Sequence, residues 1–256
     1  TVLGITEFDG NATSENLTVD GVSYTFPLGD KTTVIVGDNT DGSALFTTAC
    51  AYGGPSNTLD DCGNVNAGIT NGGAMAGASY DFGNGLTTAV GYAAGESDMA
   101  TGLMTKETLD AYGVNAAYTG DNYGFSVTYG LVETSSADED TYTAFNGYYA
   151  PEGFPSISVG YEIGEDGSVT DKTADELTSF FVGLQWDEFG PGTAGIAVGT
   201  KTPTVEKTDE QYMYEAFYSY PLNDGMTITP LVFIKETSTA GVDDETGVMV
   251  KTSFSF

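Results

Sequence analysis

"ETGVMVKTSFSF", residues Glu245–Phe256, alternates apolar and polar side chains to the end of the chain. In an extended strand successive side chains point to opposite faces. Val248, Val250, Thr252, Phe254 and Phe256 therefore share one face, and Met249, Lys251, Ser253 and Ser255 the other. One face is apolar and the other polar. Either a second protein layer or lipid could cover the apolar one.

The same pattern recurs along the chain. In "AMAGASYDF", Ala74, Ala76, Ala78, Tyr80 and Phe82 oppose Met75, Gly77, Ser79 and Asp81. In "YGFSVTYGL", Tyr123, Phe125, Val127, Tyr129 and Leu131 oppose Gly124, Ser126, Thr128 and Gly130. In "FFVGLQWD", Phe180, Val182, Leu184 and Trp186 oppose Phe181, Gly183, Gln185 and Asp187. About ten residues of alternation is the length a tilted strand needs to cross a bilayer.

The connections discriminate further. Short turns are read at "PLGD" (Pro27–Asp30), "GNG" (Gly83–Gly85), "GDN" (Gly120–Asn122), "PEGFP" (Pro151–Pro155), "EFGPG" (Glu188–Gly192) and "PLNDG" (Pro221–Gly225). Between them fall longer acidic connections near 9–16, 38–73, 95–109, 133–140, 164–176, 200–210 and 236–244. Short and long alternate throughout, as in an outer-membrane barrel with short periplasmic turns and long external loops. The expected fold is all-β: a transmembrane antiparallel up-and-down barrel of about fourteen strands, the first near Val2–Phe8. Residues 1–256 read as a single barrel domain. Aromatic pairs at strand ends, such as Tyr80 and Phe82, Tyr118 and Tyr123, and Tyr218 and Tyr220, suit interfacial girdles.

Composition removes several function classes. Asp and Glu number 37 against 7 Lys and Arg combined, for a net charge of −30, so nucleic acid is not an expected partner. There is no histidine, which removes the Ser–His pair, the HExxH zinc site and the imidazole base. Adjacent carboxylates such as Asp243 and Asp244 are better read as solvated loop than as a glycosidase dyad. "DNTDGS" (Asp38–Ser43) has calcium-loop residues without the alternating ligand spacing or the distant Glu. No enzyme activity, cofactor or metal is expected. The opening "TVLGITEFDG" has neither a Met start nor an apolar signal core, which reads as a mature chain or an excised piece. Cys50 and Cys62 have the spacing of a loop-stapling disulfide formed in an oxidising compartment, with two free thiols as the alternative.

The stretches "SYTFPLGD", "TTVIVGDNTDGS", "GGAMAGASYDFGNGLTTAVGYAA", "EAFYSYPLNDGMTITPLVFIKE" and "VMVKTSFSF" resemble the barrel region of cyanobacterial outer-membrane porins. These belong to the carbohydrate-selective porin family, also labelled iron-uptake porins. The resemblance implies an outer-membrane location, about sixteen strands in an intact protein, and surface-layer-homology and coiled-coil regions that this chain lacks. It also implies that the terminal Phe256 resembles the signal read by the barrel assembly machinery.

The expected function is a water-filled channel for passive diffusion of small hydrophilic solutes and ions, with carbohydrate or iron uptake suggested by the family label. The excess of acid leads us to expect cation preference. Outer-membrane lipid is an expected partner and a homotrimer a candidate assembly. The connection 38–73 is long enough to fold inward, which makes Asp60 and Asp61 the candidates for the constriction. Gln185, Asp187 and Lys251 are the candidates for lumen-facing positions. The rival readings are a non-conducting structural or adhesin barrel, and a secreted acidic β-protein.

Overall fold

The computed structural model describes residues 21–56, 59–69, 73–95, 102–105, 109–134, 138–170, 175–200, 204–205, 209–237 and 241–255. The strand expected at Val2–Phe8 and the terminal Phe256 lie outside the described residues. In order, the strands are β1 (Val22–Pro27), β2 (Thr32–Asp38), β3 (Ala74–Asp81), β4 (Leu86–Ala94), β5 (Asp110–Thr119), β6 (Tyr123–Glu133) and β7 (Glu139–Tyr149). They continue with β8 (Ser156–Glu165), β9 (Glu176–Phe189), β10 (Gly192–Thr200), β11 (Thr204–Val205), β12 (Tyr212–Asn223), β13 (Met226–Lys235) and β14 (Glu245–Phe254).

All the strands join one sheet, in which β11 is a two-residue bridge onto β9 and the other thirteen pair in sequence order. Every pairing is antiparallel, for example Tyr112 with Leu131 and Val232 with Val248. Each strand reverses the chain, so alternate connections lie on the same rim. The turns read as short therefore gather at one rim and the connections read as long at the other, but the β6–β7 connection (134–138), expected to be long, is no longer than the β7–β8 turn (150–155). The "GNG" turn shows the local chemistry: Asp81 Oδ1 accepts from the Gly83 N–H (2.7 Å) and Asn84 Oδ1 from the Leu86 N–H (3.2 Å).

The edge strands β1 and β14 are not paired with each other, so the described sheet is an open meander. Twelve antiparallel steps separate them along the strand order, and they consequently run in the same direction. Antiparallel closure into a barrel requires an odd number of further strands between them.

The two faces differ as the alternation in the sequence requires. One carries Val90, Val114, Phe125, Ile157, Val159, Ile196, Val232 and Val248, all exposed, Val248 by 75%. A continuous apolar band of this extent is stable against lipid and unstable against water. The opposite face buries small and polar residues, among them Asn115, Ser126, Thr128, Asn146 and Ser158. What buries them is the connection from β2 to β3.

Candidate functional site

The β2–β3 connection lies across the inner face as two lanes joined by a tip. Its neck is closed by the Asn39 N–H to the Gly73 carbonyl (3.0 Å) and the Gly42 N–H to the Ile69 carbonyl (2.8 Å). The Asp41 carboxylate accepts from the Ser43 N–H and hydroxyl (2.7 and 2.6 Å), so the "DNTDGS" acid is spent on capping its own turn.

The outbound lane is extended. Every second N–H finds an inward side chain of the wall: Thr47 to Asn115 Oδ1 (2.9 Å), Ala49 to Ser126 Oγ (2.9 Å), Ala51 to Ser158 Oγ (2.8 Å) and Gly53 to Gln185 Oε1 (2.8 Å). These acceptors stand on β5, β6, β8 and β9. From β5 to β9 is four strand spacings, about 19 Å, and from residue 47 to 53 an extended chain covers about 20 Å. The match means the lane crosses the wall nearly at right angles to the strands. Alternate N–H groups of the lane meet successive wall side chains, and Ser158 Oγ accepts a second one, from Tyr52 (3.1 Å).

At the far side, the Tyr52 hydroxyl donates to Glu215 Oε1 (2.8 Å) and the Ser56 hydroxyl to Glu215 Oε2. Lys251 Nζ donates to the Pro55 carbonyl (3.1 Å). Burial, and then the Glu215 charge, push the Tyr52 phenol above its ordinary range, so it stays a donor. The returning lane begins at Leu59. Asn146 Nδ2 donates to the Cys62 carbonyl (2.8 Å) and Ser179 Oγ to the Gly63 carbonyl (3.3 Å). The N–H groups of Asn66 and Ala67 both reach Glu162 Oε2 (2.9 Å each), and Asn66 Nδ2 reaches Oε1 (3.1 Å).

The wall is shaped for this contact. A Cβ on Gly160 would stand 1.8 Å from the Cys62 carbonyl oxygen, and one on Gly91 2.3 Å from that of Gly42. Only glycine admits backbone this close. Cys50 and Cys62 are disulfide-bonded (S–S 1.99 Å, Cα–Cα 6.5 Å), which ties one lane to the other.

The inner wall is not uniformly polar. On β9–β13, Phe181, Ala197, Met213, Phe217, Leu231 and Phe233 point inward, and Tyr52, Leu59 and Cys62 of the loop complete an apolar cluster. Tyr52 packs on Phe181 and Phe217 with ring centroids 5.4 and 5.7 Å apart.

The sequence candidates fall around the tip of the loop. Asp60 and Asp61 are exposed there, between the two places where the loop meets wall carboxylates. Partial withdrawal from water, and then the neighbouring Asp60 charge, hold the Asp61 carboxyl above the ordinary carboxylate range. Asp61 is close enough to repel Glu162, and Asp60 to repel Glu215, which Lys251 attracts. Gln185 and Asp187 are placed together, Nε2 to Oδ1 2.7 Å, beside Gly53. Sequence reasoning passed over Glu162 and Glu215. Each stands at an inward position of an alternating strand, in "SISVGYEIGE" and "YMYEAFYSY", and an acid there is the signal that could have found them. Among the described residues, no group of three or more His, Cys, Asp or Glu is placed to hold a metal.

Two solved structures are similar to this chain in fold. A triple mutant of the Rh. blastica porin shares 16% identity over 97% of this chain and 81% of its own, with a TM-score of 0.61. An anion-selective porin from Comamonas acidovorans shares 12% identity over 92% of this chain and 88% of its own, also at 0.61. The fold is that of the porins. No family model and no curated protein matches the chain.

Proposed function

We propose that this chain is an outer-membrane porin, a water-filled channel through which small hydrophilic solutes and ions diffuse passively. The observation that carries this reading is the inward loop. It sits on the face opposite the apolar band and brings the exposed pair Asp60 and Asp61 over the lumen side. Acids at a constriction concentrate cations and repel anions, so potassium passes more readily than chloride. No enzymatic step is involved. The finer assignment is to the cyanobacterial carbohydrate-selective type, supported by the segments quoted above, with sugars or iron complexes as solutes. Phe256 is the residue through which the assembly machinery recognises the chain, and three copies form the working unit.

Planar-bilayer recording of the purified protein tests the channel. Discrete conductance steps, with a reversal potential in a salt gradient on the potassium side, are expected. A reversal potential on the chloride side overturns the cation preference. A second reading, a non-conducting structural barrel, draws on the apolar cluster that fills the inner face along β9–β13. Heat-modifiable migration on a detergent gel without any conductance step would select it.

A further inference from the structure

We infer that Glu162 and Glu215 are positioning residues of the constriction: two wall carboxylates that clamp the loop on either side of its acidic tip without themselves carrying ions. The inference rests on the channel reading for its consequence, but its geometry stands apart from it. Glu162 is 1% exposed and Glu215 3%, so neither faces the water path. A carboxylate is kept at such depth only where its oxygens are fully bonded. Here the donors come from the loop. Glu215 holds the end of the outbound lane through Tyr52 and Ser56, and Glu162 holds the returning lane further on, through Asn66 and Ala67. The segment between the clamps contains Asp60, Asp61 and Cys62.

Elsewhere on the wall, neutral Asn115, Ser126, Ser158 and Gln185 suffice: one backbone N–H meets each acceptor, or two at Ser158, against three N–H bonds at Glu162. Those three converge from two residues. An ionised carboxylate accepts all three, whereas a glutamine keeps the two backbone bonds only if the Asn66 side-chain amide flips to offer its oxygen to the new N–H₂. The two clamps differ in one testable respect. The partners of Glu215 are hydroxyls, which donate or accept by rotating, so an amide can be accommodated there. The backbone partners of Glu162 are N–H groups, which only donate and both meet Oε2, so an amide fits there only with its oxygen at that position and with the Asn66 side-chain amide flipped.

The experiment compares E162Q, E162D, E215Q and the D60N/D61N pair with the wild-type chain, each first shown to keep heat-modifiable migration. Amide hydrogen exchange in micelles reads the clamp whether or not the protein conducts. Protection at Asn66 and Ala67 should fall at least tenfold in E162D, by a smaller factor in E162Q, and change little in E215Q. In bilayers, E162Q and E162D should flicker and close at lower voltage, with less than a twofold change in the potassium-to-chloride ratio. D60N/D61N should lower that ratio several-fold and leave closure voltage unchanged. E162D matters most because it keeps the charge and withdraws the oxygens. If E162D matches wild type in exchange while E162Q alone shifts the permeability ratio, Glu162 is a charge in the path and the inference fails. Unchanged exchange in both variants also overturns it. Loss of exchange protection in a protein that never conducts leaves the clamp standing and refutes the channel reading instead.

Discussion

The inner wall holds the same loop by two different means. Along β5–β8 it offers Asn115, Ser126, Asn146, Ser158 and Gly160, small or polar residues that let the backbone of the loop come close and be hydrogen-bonded. Along β9–β13 it offers Phe181, Met213, Phe217, Leu231 and Phe233, against which the loop turns side chains, Tyr52 and Leu59. In the first half the loop meets the wall mainly by its main chain and in the second mainly by its side groups, although Gly53 and Gly63 also bond to Gln185 and Ser179 of β9 and Ala67 packs on Tyr142 of β7. Directional bonds fix the path of the outbound lane, and each contributes only about 1 kcal/mol net. Apolar burial does not fix a path, but it supplies most of the adhesion. The tip with Asp60 and Asp61 extends from the anchored apolar end, which makes a stable loop compatible with an exposed acidic edge.

Substitutions in the two halves should therefore differ in kind. The largest effect is expected on the apolar side. Phe181 is 1% exposed and packs on Tyr52, so Phe181→Ala should cost about 3–5 kcal/mol. The midpoint of urea unfolding in micelles measures it. A loss below 1 kcal/mol would mean that the apolar half contributes little and that the hydrogen-bonded half holds the loop.

The disulfide joins the halves, since Cys50 belongs to the lane over β6–β8 and Cys62 contacts both walls. Replacing both cysteines with serine removes a cross-link spanning 12 positions, worth about 3 kcal/mol in the chain-entropy account. Reduction of the wild-type chain should reproduce the shift in unfolding midpoint. A reduced protein with an unchanged midpoint would show that the wall contacts alone define the loop.

Gly160→Ala tests the hydrogen-bonded half. The added methyl meets the Cys62 carbonyl, so the returning lane must lift, breaking the Asn146 bond. Overpacking of this type costs about 1–3 kcal/mol. Unlike Phe181→Ala, it should alter single-channel conductance as much as stability, because it moves the backbone that carries the tip. Unaltered conductance with lowered stability would place the water path away from this lane.

The fold was readable because a single sheet with one apolar and one polar face imposes the same alternation on every strand. In "YGFSVTYGL" the alternation alone separates Phe125 and Val127 from Ser126 and Thr128, and the structure keeps that division. The order of the connections was also legible, as the up-and-down topology follows from it without side-chain detail, although the expected length alternation fails at the β6–β7 connection (134–138). The inner surface was less so. Period-two alternation says that Phe217 and Glu215 share a face, but not that one packs on Tyr52 while the other bonds to its hydroxyl. Those partners lie more than a hundred residues away along the chain, and no local pattern records them. Along β9–β13 the wall therefore mixes apolar Phe181, Phe217 and Phe233 with buried Ser179, Glu215 and Thr229. A wall residue answers to whatever covers it, and there the cover is partly apolar.

The smallest effect is expected at the tip, which belongs to neither half. Asp61 binds its proton more tightly in the folded chain than in the unfolded one, because it is partly withdrawn from water and stands beside Asp60. With the folded value raised, the favourable contribution is present below the ordinary carboxylate value and is lost as pH rises through the raised value. Ionised Asp61 thus works against the fold at neutral pH, and Asp61→Asn should raise the midpoint of heat-modifiable migration. The group is exposed, so the rise should be about 1–2 °C. It should disappear when the comparison is made at a pH below the ordinary carboxylate value, where both side chains are neutral. In an Asp60→Asn background one of the two causes is gone, and the gain should shrink. A gain that persists in acid would assign the effect to the shape of the amide and not to charge. A gain unaffected by Asp60→Asn would leave withdrawal from water as the sole cause, and would separate the two acids that the constriction reading treats as a pair.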